Sequence, residues 1–292
     1  MVAEGGNDWK LLQLSTRDVS GTPFRSLSRL GVMEIALRQP NIAEVFENIL
    51  VPGIFDRYAR ELVDRARPIG PSDRVLDLGC GTGIVARVLR ERLGGAARII
   101  GLDAAPPMIA MAKAVAPELD FREGNAMALP FADHSFDLVL SQQMLQFVPD
   151  RAVALREMRR VLAPGGRLLL STWRPRTLAP LHDALVKLAE KHLGPANDKR
   201  YSLDGDELRA LVVEAGFEDV RIDTASLTEE YRAFPPRLTA MGANIDVTSF
   251  SDQERERRFA AYEAEAVAII ASFTANGIIS APSSTNIVTA IA

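Results

Sequence analysis

From Asp73 to Leu227 the chain alternates short apolar runs with stretches in which apolar residues recur every three or four positions, the pattern of strands alternating with amphipathic helices. Strands are predicted at Arg74–Leu78, Arg98–Leu102, Asp120–Glu123, Phe136–Ser141 and Arg167–Thr172, with a helix in every connection but the third, where Gly124–Ser135 reads as irregular. Such a run folds as a parallel sheet covered by helices on both faces, so the predicted class is α/β, doubly wound and mostly parallel. Helices at about Leu178–Leu193 and Gly205–Ala215, the second ended by Gly216, lead to a strand at Val220–Leu227. The β-branched run Asn286–Ala292 supplies a closing strand and makes the sheet seven-stranded.

The flanks follow other patterns. Residues 1–30 mix Gly, Ser, Thr and Asp with isolated leucines and read as a loose arm. Val32, Ile35, Ala36, Ile42, Val45, Phe46 and Ile49 keep helical spacing with an interruption at Pro40, which predicts two short helices. A third is expected over Ile54–Ala66, with Phe55, Tyr58, Leu62 and Val63 on one face. Between Tyr231 and Ala281 the alternation stops: a Pro-Pro pair and a polar loop precede one helix at about Asp252–Phe273, opened by Ser251 and Glu254 in the spacing of a capping box. The expected organisation is 1–72 as arm and helical cover, 73–228 with 282–292 as the core, and 229–281 as a helical insertion on the ligand side.

Composition narrows the possible partners. The 292 residues carry a net charge of −4, which offers no field for nucleic acid or an anionic membrane surface. Cys80 is the single cysteine, so neither an internal disulfide nor a thiolate metal cluster is available. MVAEGGNDWK has no leader-like apolar stretch, and no run approaches the ~20 apolar residues of a membrane span. These features predict a cytoplasmic protein that acts on a small molecule, with neither nucleic acid nor membrane as partner; oligomeric state is left open.

The densest chemical signal is Val75-Leu76-Asp77-Leu78-Gly79-Cys80-Gly81-Thr82-Gly83, an apolar strand that enters a glycine turn and then a helix. Glycines let a ligand lie against main-chain N–H groups at the carboxyl end of a strand, where open sheets bind ligands. The dinucleotide fingerprint G-x-G-x-x-G would need glycine at position 84, which is Ile84; the third glycine comes one residue early. No lysine follows the turn to meet phosphate charge. Asp103 closes the next strand about 20 residues on, the position from which a carboxylate accepts both ribose hydroxyls of a nucleoside.

VLDLGCGTG, GLDAAPPMIAMAKA, GNAMALPFADHSFDLVLSQQMLQFVPD and LREMRRVLAPGGRLLLSTW, in this order between Asp73 and Trp173, resemble the motifs of the class I S-adenosylmethionine-dependent methyltransferases, most closely the ubiquinone/menaquinone-biosynthesis branch. The resemblance implies a Rossmann-like sheet and S-adenosyl-L-methionine as cofactor. It implies that Gly79, Gly81, Thr82 and Gly83 line the methionine and ribose portion and that Asp77 fixes the amino-acid end. It further implies that Asp103 holds the ribose diol, Met108 and the Asn125-Ala126 pair flank the adenine, and Ser141 and Gln142 stand beside the methionine carboxylate and amine.

Transfer from a sulfonium needs in-line approach, positioning and exclusion of water, and neither a metal nor a covalent intermediate, so no metal site is expected. Gln143 and Trp173, at the ends of strands four and five, are placed to face the transferable methyl. His182, on the following helix, is a candidate general base for a hydroxyl acceptor, whereas His134 falls in a polar turn away from the ligand end. Phe46, Phe55 and Tyr58 are candidates to close over the sulfonium, where an aromatic face offers cation–π attraction. The expected activity is methyl transfer to an O, N or C atom of a small-molecule acceptor. The competing readings are an NAD-dependent oxidoreductase, opposed by the misplaced glycine, and a non-catalytic S-adenosylmethionine-binding module.

Overall fold

The structure, a computed structural model, describes residues 42–94, 97–201 and 203–292. The expected arm at 1–30 and the helix expected before Pro40 lie outside them. Strand β1 (Arg74–Leu78) is the centre of the sheet, and its residues Val75 to Leu78 are buried on both faces, which is why it reads as a continuous apolar run. It pairs in parallel with β2 (Arg98–Asp103) on one side and β4 (Phe136–Gln142) on the other. β3 (Asp120–Glu123) extends the β2 side, and β5 (Leu162–Trp173) the β4 side. β6 (Glu218–Tyr231) and β8 (Ile278–Ile291) complete the order β3-β2-β1-β4-β5-β8-β6, with β8 antiparallel to both neighbours and a two-residue β7 (Thr274–Ala275) on β8. The order reverses between β1 and β4, so the crevice for a ligand opens at the carboxyl ends of those strands.

Period-two alternation sends successive residues to opposite layers. Val75, Leu138 and Leu169 pack with α2 (Asp56–Arg65) and α3 (Ile84–Leu93) on one face, among Tyr58, Leu62, Val85 and Leu89. Leu76, Val139 and Leu170 pack on the other face against Leu155 and Met158 of α5 (Arg151–Val161) and Val212 of α7 (Gly205–Glu214). Each fully buried leucine contributes roughly 1.5–3 kcal/mol relative to exposure, so this double layer is the main source of stability. The remaining helices are α1 (Ile42–Val45), α4 (Pro106–Val115), α6 (Pro180–Leu193), α8 (Pro236–Gly242) and α9 (Asp252–Ser272). Among the described residues no helix is long and apolar enough to cross a membrane.

Four elements differ from the sequence reading. Where two separate helices were expected, one ending near Leu50 and the next beginning at Ile54, the chain is helical without a break from Ile42, and over Phe46–Phe55 its turns widen to a π-helical pitch before α2. Pro52 lacks the N–H that an α-helical turn would use, and Asp56 donates to the carbonyl of Val51, five residues back. β5 starts at Leu162, earlier than the expected Arg167, through an irregular pairing opposite Phe136 and Leu138. β6 and β8 run to Tyr231 and from Ile278, so the residues expected to open and close the insertion are paired strand, Glu229 with Ala281 and Tyr231 with Ile279. Ser283 to Asn286 are polar yet buried, and their hydroxyls close on the backbone: Thr285 donates to Thr172 O at 2.7 Å and Ser284 to Ala225 O at 3.2 Å.

The segment between the two long strands docks through α9. Tyr262, Phe259 and Ala240 pack on Ala189 and Leu193 of α6, and Arg237 lies 4.4 Å above the Phe259 ring. Ser251 accepts the Glu254 N–H at 3.3 Å at the start of α9, as its spacing predicts. The helical cover is latched by Arg87, which donates to both oxygens of Glu47 at 2.8 and 3.0 Å.

Candidate cofactor and acceptor site

β1 ends at Leu78 and turns through Gly79, Gly81 and Gly83, with φ of +71°, +55° and +86°, into α3. Side chains disfavour this left-handed region, and at Gly79 a Cβ would in addition overlap the Met144 side chain. Gly79 and Cys80 donate to Leu102 O at 2.7 and 3.1 Å, which ties the turn to β2. Gly81 N–H donates to Asp103 Oδ2 at 2.9 Å and Ala105 N–H to Asp103 Oδ1 at 2.8 Å. One carboxylate thus sets both the glycine turn and the start of α4, with two of about four lone-pair sites left for a ligand. Burial raises its pKa against the pull of those backbone bonds.

Asp77 lies beneath the turn, 1% exposed. Its Oδ2 accepts the Ala86 N–H at 3.0 Å, while Oδ1 has no partner. Burial, opposed by that N–H and reinforced by the charge of Asp103, pushes its pKa up to about 7. A carboxylate whose folded value lies above its unfolded one favours folding while protonated, and that contribution is lost as pH rises from the ordinary carboxylate range towards 7. Asp77→Asn is therefore expected to raise the melting temperature of the ligand-free protein at pH 8 more than at pH 5. Equal shifts at both pH values in thermal melts would exclude this coupling.

The turn forms one end of a cavity of about 660 Å³. Asp77, Gly79, Gly81, Asp103, Met108, Asn125 and Ala126 line that end, and Gln142, Gln143 and His182 line the rest. Three residues of the expected set do not reach the cavity. Thr82 is fully buried behind the turn, Gly83 is the residue before α3 with the Phe121 ring where its Cβ would be, and Ser141 is buried within β4. Asn125 Oδ1 accepts the Met127 N–H at 2.9 Å, which shapes the irregular stretch after β3. Gln142 donates to Phe55 O at 3.0 Å and so joins β4 to the helical cover. Gln143, at φ +55°, donates its side-chain amide to Thr285 Oγ1 at 2.8 Å, which makes it a brace between β4 and β8.

The far half of the cavity is aromatic. Phe46 stacks on Phe55 at 4.6 Å, and Trp173 stands between Phe55 and the edge of Tyr58. Glu229, Tyr231, Arg200, Tyr201 and Ser283 also line it, and the sequence reading named none of them. Counting by twos from Ala225 and Leu227 puts Glu229 and Tyr231 on the same face of β6; both are buried, and Glu230 is exposed. His182 Nε2 lies 3.0 Å from Glu229 Oε2, and Tyr231 donates its hydroxyl to the same oxygen at 2.6 Å. His134 is exposed, bonded through Nδ1 to Leu162 O, and takes no part. Burial and the charges of Asp77 and Asp103 push the Cys80 thiol well up, so it stays protonated and unreactive.

The chain is similar to several known proteins. The family described as "Methyltransferase domain" matches residues 76–170. The ubiquinone/menaquinone biosynthesis C-methyltransferase UbiE of Stenotrophomonas maltophilia is 32% identical over 234 residues, 68% of this chain and 92% of that protein. The malonyl-[acyl-carrier protein] O-methyltransferase of Halorhodospira halophila is 35% identical over 193 residues, and the match spans 63% of its length. The crystal structure of the YcgJ protein of Bacillus subtilis superposes with a TM-score of 0.54 at 22% identity, covering 80% of this chain and 98% of that one, which shows a shared fold.

Proposed function

The chain belongs to the class I S-adenosylmethionine-dependent methyltransferases, and from that premise we propose that it moves a methyl group from S-adenosylmethionine to a small, largely apolar acceptor held in the aromatic half of the cavity. The observation that carries this reading is the donor end: Gly81 presents bare backbone to the cavity beside the Asp103 carboxylate, with the unpartnered Asp77 Oδ1 beneath. These residues fit the cofactor. The lone pairs left on Asp103 suit a ribose diol, the glycine turn leaves room for the chain between ribose and sulfur, and an orphaned buried carboxylate oxygen suits an ammonium. When bound, S-adenosylmethionine supplies a methyl group already activated by the positive charge on sulfur.

The protein's own work is then alignment and desiccation. Phe46, Phe55 and Trp173 exclude water and offer aromatic faces to a cation, and Gln142 and Gln143 hold the helical cover and β8 against β4. Met108, Asn125 and Ala126 are assigned to the adenine end, and His182 to the acceptor end as proton acceptor. The two curated relatives are named for C- and O-methylation, and the family match covers the donor half. Acceptor choice is therefore assigned to the helical cover, the β6–β8 ribbon and the segment that carries α8 and α9. Single-cysteine composition and a mildly acidic charge support action in the cytoplasm on a small molecule, without nucleic acid. Isothermal titration is expected to give micromolar-range binding of S-adenosylhomocysteine and none of NADH; the reverse would sink the proposal.

A further inference from the structure

Away from the donor end, two residues of the cavity wall carry buried hydrogen-bond acceptors that no group among the described residues satisfies. Glu229 is fully buried, and its Oε2 takes both the Tyr231 hydroxyl and the His182 contact, whereas Oε1 has no partner. His182 Nδ1 is likewise buried without a partner. Burial, and then the Glu229 charge, hold the Tyr231 pKa well above its ordinary value, so its O–H remains a donor. As a carboxylate, Glu229 only accepts through Oε2, from Tyr231 and from the imidazole alike, so His182 meets it with Nε2–H and leaves Nδ1 as a lone pair. Buried acceptors are nearly always paired in folded proteins; a pair left open in a ligand-sized cavity calls for a ligand that brings a donor.

We propose that Glu229, itself oriented by Tyr231, is a positioning residue that holds His182 as the Nε2–H tautomer, so that Nδ1 removes the proton of a hydroxyl-bearing acceptor as its oxygen is methylated. This rests on the methyl-transfer reading above. The hydroxyl O–H bond breaks and the proton goes to Nδ1; an oxygen lone pair forms the new O–C bond to the methyl carbon. The C–S bond breaks with its electron pair remaining on sulfur, and the sulfonium becomes a neutral thioether. The imidazolium, held by the Glu229 carboxylate, returns its proton to solvent after product leaves.

A carboxylate acceptor fits this wall poorly. It brings negative charge and no donor beside a buried carboxylate, where screening is weak. The cation of the wall, Arg200, is engaged by Asp198 through Nε at 2.8 Å and Nη2 at 2.7 Å. The other ionisable groups about His182 are Tyr201 in the turn after α6, Tyr58 on α2, and Asp183 on α6 itself, paired with Arg176 and Lys187. On α9, Glu265 pairs with Lys191 and His192 at the far end of α6.

The chain has three histidines, so ¹⁵N-histidine NMR of the S-adenosylhomocysteine complex, with H182N to identify the signal, reads the tautomer in the intact protein. The expected result is Nε2–H for the neutral ring in the unaltered protein, with the share of that tautomer reduced in E229Q, whose amide can also donate to Nε2, and reduced less in Y231F. An Nδ1–H tautomer in the unaltered protein, or a tautomer share unmoved in E229Q, overturns the proposal. S-adenosylhomocysteine affinity is expected to be equal in E229Q and the unaltered protein; failure of the unaltered protein to bind it would instead overturn the methyl-transfer reading. As acceptor probes, 4-methylphenol, which keeps its O–H at neutral pH, is expected to bind the same complex about ten-fold more tightly than 4-methylanisole, with the difference lost in H182N. Lack of discrimination between the two, including binding of neither, overturns the hydroxyl assignment.

Discussion

Replacing Asp103 by Ala is expected to weaken S-adenosylhomocysteine binding by about 100-fold or more while leaving a folded protein. Two of the lone-pair sites of this carboxylate are taken by Gly81 and Ala105 N–H, and the others are assigned to the ribose diol. A hydrogen bond to a charged group contributes roughly 1.5–3 kcal/mol, so losing two removes at least about 3 kcal/mol, which is the stated factor. The folded state tolerates the change because burial already disfavours the charge on Asp103: removing it relieves a desolvation cost that offsets the two lost backbone bonds. Titration calorimetry beside thermal melts separates the two effects. Unchanged affinity would mean that the ribose is held elsewhere; loss of folding would mean that Asp103 is chiefly a brace for the glycine turn.

Gly81→Ala tests the cradle from the other direction. Its φ of +55° makes any side chain costly by roughly 1–2 kcal/mol, yet the added Cβ would meet only Phe46 Cε1, at 3.6 Å. The protein should therefore fold with a modestly lowered melting temperature. The same Cβ would stand in the space assigned to the cofactor, so S-adenosylhomocysteine affinity is expected to fall ten-fold or more, out of proportion to the stability change. A loss of affinity no larger than the loss of stability would place the ligand away from Gly81. At Gly79 the comparison is not informative, since a Cβ there would overlap Met144 whether or not a ligand is bound.

The donor end was legible because its chemistry is local. Gly79, Gly81 and Asp103 sit within a few residues of the carboxyl ends of β1 and β2, and parallel pairing of neighbouring strands brings those ends together without further information. The same locality explains why Thr82, Gly83 and Ser141, adjacent in sequence to lining residues, do not reach the cavity: a strand or helix start turns successive side chains in different directions. Gln143 was read as facing the methyl from its place after β4, yet its amide goes to Thr285, 142 residues later, a partner that no local pattern indicates.

By itself, then, the sequence determined the doubly wound, mostly parallel sheet and the residues assigned to the cofactor half of the site, since alternating hydrophobicity and glycine spacing act over a few residues. Only the tertiary structure decided the acceptor half. The strand read from Asn286 begins earlier because the hydroxyls of Ser283, Ser284 and Thr285 find carbonyls on β5 and β6, and the wide helical turns at Phe46–Phe55 have their place only where Gly53 leaves room for the Tyr231 ring. His182 and Glu229, 47 residues apart, become a pair only when α6 packs against β8, the strand beside β6. The physical reason is the same in each case: a buried polar group reads as a solvent-facing one until the partner that satisfies it, supplied by a distant part of the chain, is in place.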